Sequence, residues 1–236
     1  MKTSKVIVII FLFIFVFFGI WLAMDRLDIE GVLKNNVQTG KTTKTDSLIL
    51  VNKSNPFYST PSDLVSVYEN KNNCYLVRDT GVSVQKQMMK PLNDMMEAFY
   101  KKTKLKTVNV ISGYRSVERQ QEIYAEKKLL FGKSYADKYV QKPGSSEHHT
   151  GLAVDLALYY SENGTSEDFL GTGEYSWFKN NCHKFGFILR YEADKEDITG
   201  ISFEPWHFRY VGKKAAKYIY ENGLCLEEYC SEFSLS

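Results

Sequence analysis

The chain has 236 residues, with 30 lysines and arginines against 28 aspartates and glutamates, for a net charge of +2. That near balance, with the lysines spread along the chain, gives no bulk electrostatic case for nucleic acid as a partner. A hydrophobic content of 44% can supply a buried core, and the roughly 190 residues beyond an apolar N-terminal segment fit one domain.

Residues 1–5 carry Lys2 and Lys5 and precede an unbroken apolar run, 6–24, that stops at Asp25 and Arg26. At 1.5 Å per residue, a helix of that length nearly matches a bilayer core of about 30 Å. The flanking lysines favour a cytoplasmic N-terminus and an exported remainder. A cleaved signal peptide is the competing reading, but its apolar region is usually shorter and ends in a small-x-small site, which Gly19 to Met24 does not offer. The expectation is therefore a single-pass signal anchor over 6–24, a polar linker over 25–46, and an extracytoplasmic domain over 47–236, read as a monomer.

Within that domain, 48–52 reads as a first strand ended by Asn55-Pro56, and Pro61 to Leu64 as a turn. Met88, Leu92, Met95, Met96 and Phe99 recur at helical spacing over 84–100, with Pro91 as a local irregularity. A strand-like run, 108–111, enters Ser112-Gly113-Tyr114-Arg115-Ser116, and Ser116 can cap a helix over 117–130. After a Pro-Gly loop at 141–145, residues 152–158 alternate as a strand, and the polar, Gly-rich 161–174 reads as a surface loop. A helix over 176–185 stops at Gly186, and 187–191 is a strand. Then follow a charged turn over 192–199, a strand-like stretch over 203–211, and a short helix over 215–222 before Gly223. Without a repeated βαβ rhythm, the fold class is α+β, an antiparallel sheet with flanking helices. Cys74, Cys182, Cys225 and Cys230 make an even count; three disulfide pairings, and unpaired thiols, all remain open.

The chemistry concentrates in two segments some fifty residues apart: Ser146 to Asp155, and Glu204-Pro205-Trp206-His207. They hold three of the four histidines. Along the strand, Ala153, Asp155 and Ala157 share one face and Leu152, Val154 and Leu156 the other. The small alanines leave room beside Asp155, and a carboxylate among apolar residues needs a cation or hydrogen-bond partners. His148 precedes the strand, and Gly151 allows a turn tight enough to bring it back toward Asp155. His207 is the third candidate ligand. A turned backbone at Pro205 can present Glu204 to the same cavity, so that His207 binds the ion and Glu204 takes a proton from the attacking water. A single aspartate or histidine is more often a salt-bridge or core partner, but the set together has the composition of a catalytic zinc site. His149 projects elsewhere in an extended loop, and His183 falls on a helix away from the set. The HExxH pattern is absent.

The string S-x-H-x-x-G-x-A-x-D with a downstream E-P-W-H resembles the VanY-type D-alanyl-D-alanine carboxypeptidases, zinc peptidases that share a fold with Hedgehog signalling domains. The resemblance extends to Ser112 through Ser116 with Gln120, to Gly186 through Tyr191, and to Trp206 through Gly212, and covers roughly 46–230. It implies one Zn2+ per chain bound by His148, Asp155 and His207, with Glu204 as the catalytic base. It implies that Arg115 stabilises the developing oxyanion or holds the substrate, and that Ser146, Gln120 and Tyr191 contact the peptide. It further implies peptidoglycan stem peptides as substrate, with release of the terminal D-alanine. Two rivals stay open: an L,D-carboxypeptidase that trims tetrapeptide stems, and a wall-binding module with a structural metal, which has no need of a spare Glu204. The turn 192–197 lacks the Pro/Gly pattern of relatives, and the four cysteines are unusual for the family.

Overall fold

A computed structural model describes residues 46–235. The expected anchor over 6–24 and nearly all of its linker lie outside the described residues, and among the described residues no helix is long and apolar enough to cross a membrane.

The elements follow in chain order. A small hairpin, β1 (Leu64–Ser66) and β3 (Ser83–Gln85), pairs antiparallel around the short α1 (Val67–Asn70) and β2 (Leu76–Val77). Then come α2 (Lys86–Thr103), β4 (Val108–Ser112), α3 (Val117–Phe131) and α4 (Lys133–Tyr139). The second half holds β5 (Ala153–Tyr160), β6 (Thr165–Asp168), α5 (Ser176–Asn181), β7 (Phe187–Leu189), α6 (Glu196–Thr199), β8 (His207–Tyr210), α7 (Lys213–Asn222) and α8 (Leu226–Glu232). The main sheet runs β2-β4-β5-β8-β7, and β6 also pairs with β5. Every pair is antiparallel except β2 with β4. This is the expected α+β architecture with one parallel edge pair.

The helix expected over 84–100 is α2, whose Met88, Leu92, Met95, Met96 and Phe99 are all buried. They pack on Val108 and Val110 of β4 and on Val154, Leu156 and Leu158 of β5. Pro91 sits inside the helix and removes one hydrogen bond of its second turn. Phe99 also meets Phe178, with ring centroids 4.6 Å apart. A smaller cluster gathers Ile188, Val211, Ala215, Ala216, Ile219 and Leu226. Ser116 caps α3 through its side chain, which accepts from the Arg119 N–H at 3.1 Å. Gly223 closes α7 in the left-handed conformation.

Two expectations need correction. Residues 48–52 form no strand: Asp46–Leu48 is a 3-10 turn, and the carbonyls of Ser47 and Ile49 accept from the Arg209 side chain rather than from a neighbouring strand. The loop expected over 161–174 contains β6, all of it exposed. Its partner is the outer half of β5, joined through an Asn163-Gly164 turn whose Asn163 side chain accepts from the Thr165 N–H. A strand exposed on both faces carries no hydrophobic alternation to announce it. The four cysteines, which the sequence allows to pair, are free thiols.

Because Phe99 is buried against both the sheet and the α5 aromatics, Phe99→Ala is expected to cost about 3–5 kcal/mol of stability. A chemical denaturation curve with an unchanged m-value checks this.

Candidate metal and catalytic site

The centre of the site is a register. Asp155 stands directly opposite His207 on β8 and opposite Ser112 on β4, so that its neighbours on both sides are polar. His207 is the first residue of β8. A turn at Pro205 precedes it, closed by the His207 N–H donating to the Glu204 carbonyl at 3.2 Å. That turn is the backbone irregularity expected at Pro205, and it directs Glu204 into the same cavity.

His148 arrives from the 3-10 turn Glu147–Thr150, which Gly151 terminates at a φ of 67°. Asp155 bridges the two imidazoles: Oδ2 lies 3.1 Å from His148 Nε2, and Oδ1 lies 3.0 Å from His207 Nδ1. One ligand atom from each of the three residues falls within 4.8 Å of the others. The remaining nitrogens are engaged. His148 Nδ1 donates to the Gly113 carbonyl at 2.7 Å, which leaves Nε2 as the lone-pair nitrogen. Gly113 can deliver that carbonyl because it presses against β3, where a Cβ would fall 2.2 Å from the Ser83 carbonyl oxygen. Two imidazoles and a carboxylate, converging on one point and oriented by outer hydrogen bonds, are the donor set of a three-ligand zinc site.

Behind His207 lies a buried ionic network. His207 Nε2 is 3.3 Å from Glu147 Oε2. The other Glu147 oxygen accepts from Arg190 Nε at 2.7 Å and from Arg209 Nη1 at 2.8 Å. Arg190 also grips Glu227 through both terminal nitrogens, at 2.9 and 2.7 Å. Burial pushes the Glu147 carboxyl up, but the two guanidiniums outweigh it and hold it well below the usual carboxylate range. For His207, burial acts downward, while its hydrogen bonds to Asp155 and Glu147 raise it to about 9 in the absence of a metal. Sequence reasoning gave Glu147 no role. The usable signal was Arg190 and Arg209, each inside an apolar strand run, because an arginine buried in a sheet demands a carboxylate.

On the open side a cleft of about 430 Å³ is lined by Arg115, Ser146, Tyr191, Glu204 and Trp206, with Tyr135 and Tyr139 of α4 at its rim. Glu204 Oε2 lies 3.8 Å from His207 Nδ1. Burial raises its carboxyl to about 7 against the opposing pull of His207. Arg115 Nη2 is 3.7 Å from Asp155 and donates to Ser112 Oγ at 2.9 Å, while Nη1 donates to Gln120 Oε1 at 2.9 Å. Gln120 also reaches the cleft, but its amide is committed, since Nε2 donates to the Gln141 carbonyl at 2.6 Å. Ser146 is buried in the cleft floor, and the Tyr191 ring sits 5.1 Å from that of His207. His149 stands apart from the cluster: Nδ1 donates to the Arg115 carbonyl and Nε2 accepts from the Gly144 N–H, so this neutral ring ties the Arg115 loop to the loop before Ser146. His183 lies away from the site, stacked on Tyr220.

With this geometry in hand, an α+β fold carrying a His-Asp-His cluster beside a free glutamate defines a class of metallopeptidase-like sites. The family model described as VanY, D-alanyl-D-alanine carboxypeptidase, matches residues 81–213, and the chain belongs to that family. A D-alanyl-D-alanine carboxypeptidase of Enterococcus faecalis is 47% identical over 129 residues, which cover 51% of this chain and 46% of that protein. The chain thus spans about half the length of this curated relative. The structure of the LdcB LD-carboxypeptidase is 38% identical, with a TM-score of 0.66, over 77% of this chain and 84% of that one. A mutant of a vancomycin-resistance D,D-pentapeptidase VanY, solved in complex with Zn(II), is also 38% identical, with a TM-score of 0.61, over 78% of this chain and 98% of that one.

Asp155 is the carboxylate that bridges both imidazoles, so Asp155→Ala is expected to lower zinc affinity by more than the roughly 10–100-fold typical of losing an outer partner. Competition against a chromophoric chelator measures it, with circular dichroism to verify the fold.

Proposed function

We propose that this chain is a zinc-dependent D-alanyl-D-alanine carboxypeptidase that removes the terminal D-alanine from peptidoglycan stem peptides. In this reading His148, Asp155 and His207 hold one Zn2+, and the 6–24 segment anchors the domain outside the cytoplasmic membrane. Family membership and the Zn(II) complex of a VanY relative support it. The observation that carries it is Glu204, a carboxyl beside the three-donor cluster, turned into the cleft and outside the ligand set. A closed structural site has no use for such a group.

When bound, zinc supplies Lewis acidity, which polarises a carbonyl and makes water a better nucleophile. The chain's own residues do the rest. Glu204 accepts a proton from the water that adds to the terminal peptide carbonyl. It returns that proton to the departing amine as the C–N bond breaks, so one water is consumed and D-alanine leaves with a free amino group. Its ordinary value, raised by burial toward neutrality, suits both halves of that transfer. Arg115 offers donors to the developing oxyanion or to the substrate carboxylate. Gln120 and Ser112 fix the guanidinium, so Gln120 acts through Arg115. Ser146 and Tyr191 line the peptide's path.

The likeness to the LdcB LD-carboxypeptidase supports a second reading, in which tetrapeptide stems are the substrate. The zinc-loaded full chain, incubated with tetra- and pentapeptide stems, is expected to release D-alanine from the pentapeptide, as read by mass spectrometry. Release from the tetrapeptide alone overturns the first reading in favour of the second. Glu204→Ala is expected to lower turnover by roughly 10²–10⁴-fold while zinc content is retained. Turnover equal to wild type in that variant sinks the assignment of the base. Arg115→Lys keeps the charge but loses the fork held by Gln120, and a loss of roughly 10²–10³-fold in kcat/KM is expected.

A further inference from the structure

His207 has a carboxylate at each ring nitrogen: Asp155 at Nδ1, 3.0 Å away, and Glu147 at Nε2, 3.3 Å away. A neutral imidazole carries one N–H and can satisfy only one of them. Which one is decided outside the ring. Glu147 is fully buried, and its other oxygen is fixed by Arg190 Nε at 2.7 Å and Arg209 Nη1 at 2.8 Å. Both guanidiniums are fully buried, and neither can turn away without leaving a charge unpaired. Glu147 Oε2 therefore stays an acceptor aimed at His207 Nε2.

We propose that Glu147, clamped by Arg190 and Arg209, is the positioning residue that fixes His207 as the Nε2–H tautomer and so presents Nδ1 as the metal-ligating nitrogen. This rests on the metal reading of the His148, Asp155 and His207 cluster. Outer carboxylates of this kind orient a ligating ring and raise its basicity. The two imidazoles then ligate through different nitrogens. His148 uses Nε2, because Nδ1 donates to the Gly113 carbonyl, and His207 uses Nδ1.

The arrangement makes a sharp prediction for Glu147→Gln. The amide oxygen must serve the two arginine donors, since an NH2 group there would face two N–H groups. The amide NH2 is then turned toward His207 Nε2, which must accept. The tautomer inverts, and Nδ1 carries the proton into the ligand position. Glu227→Gln is the control, because Glu227 meets Arg190 but not His207.

The test uses the full chain in detergent with its four histidines labelled with nitrogen-15. In the cadmium-113-loaded wild type, metal–nitrogen coupling is expected at Nδ1 of His207 and at Nε2 of His148. Glu147→Gln is expected to bind zinc 10–100-fold more weakly by chelator competition, and Glu227→Gln to stay within about threefold of wild type. Coupling at Nε2 of His207 overturns the inference, as does unchanged zinc affinity in a folded Glu147→Gln, or an equal loss in Glu227→Gln. If Glu147→Gln does not fold, the wild-type coupling pattern decides alone. A wild type that binds neither metal sinks the underlying metal reading instead, so the two failures are distinct.

Discussion

The site depends on the register of β5 between β4 and β8. Successive side chains of a strand alternate faces, and a slip of one residue would send Asp155 into the core and Val154 into the cleft. What prevents the slip is hydrophobic: Val154, Leu156 and Leu158 are buried against the methionine-rich face of α2. The packing that drives folding thus also sets Asp155 opposite His207. The site needs no separate device to bring Asp155 and His207 together. His148 alone must be brought in by local chemistry, through the Gly151 turn and the Gly113 carbonyl.

Charge is divided around His207 in a way that makes the cleft side hungry for a cation. Behind the ring, the carboxylates of Glu147 and Glu227 face the guanidiniums of Arg190 and Arg209, and that interior layer is balanced. In front, the Asp155 and Glu204 carboxyls crowd two imidazoles, with Arg115 Nη2 3.7 Å from Asp155. A buried carboxylate is expensive without a cation nearby, and the crowding falls where the three donor atoms converge. Hydrogen bonds to Asp155 in front and Glu147 behind raise the His207 pKa despite burial, so a proton held there meets part of that need. A divalent cation would meet it more fully and displace the proton.

Much of this was legible in the sequence. Helical spacing located α2, the Ser116 cap located α3, and alternation located β5 and assigned its two faces. The three donors and the Pro205 turn could be read because each rests on a local pattern: a loop glycine, small residues beside an aspartate, a proline two residues before a histidine. What escaped was what depends on distant partners. Glu147 is adjacent to His148 in the chain, yet its meaning comes from Arg190 just after β7 and Arg209 on β8. The 48–52 run looked like a strand because it is apolar, but its Ile49 carbonyl is taken by a side chain from β8. β6 escaped for the opposite reason, since a strand with no buried face leaves no periodicity.

The choice of arginine at both interior positions follows from directionality. Arg190 donates from Nε to Glu147 and from both terminal nitrogens to Glu227, so one rigid plane spans two carboxylates. Arg209 donates from Nη1 to Glu147 and from Nη2 to the carbonyls of Ser47 and Ile49. A lysine ammonium could neutralise either charge, but as a compact point charge it could not hold the two ends at fixed angles. Fixed angles are what a metal ligand would require, because His207 can be aimed only as well as the carboxylate behind it is held. The 47–49 segment therefore belongs to the site although it lines none of the cleft: its two carbonyls complete the donors of Arg209, Arg209 helps to hold Glu147, and Glu147 faces the ring that carries Nδ1 to Asp155.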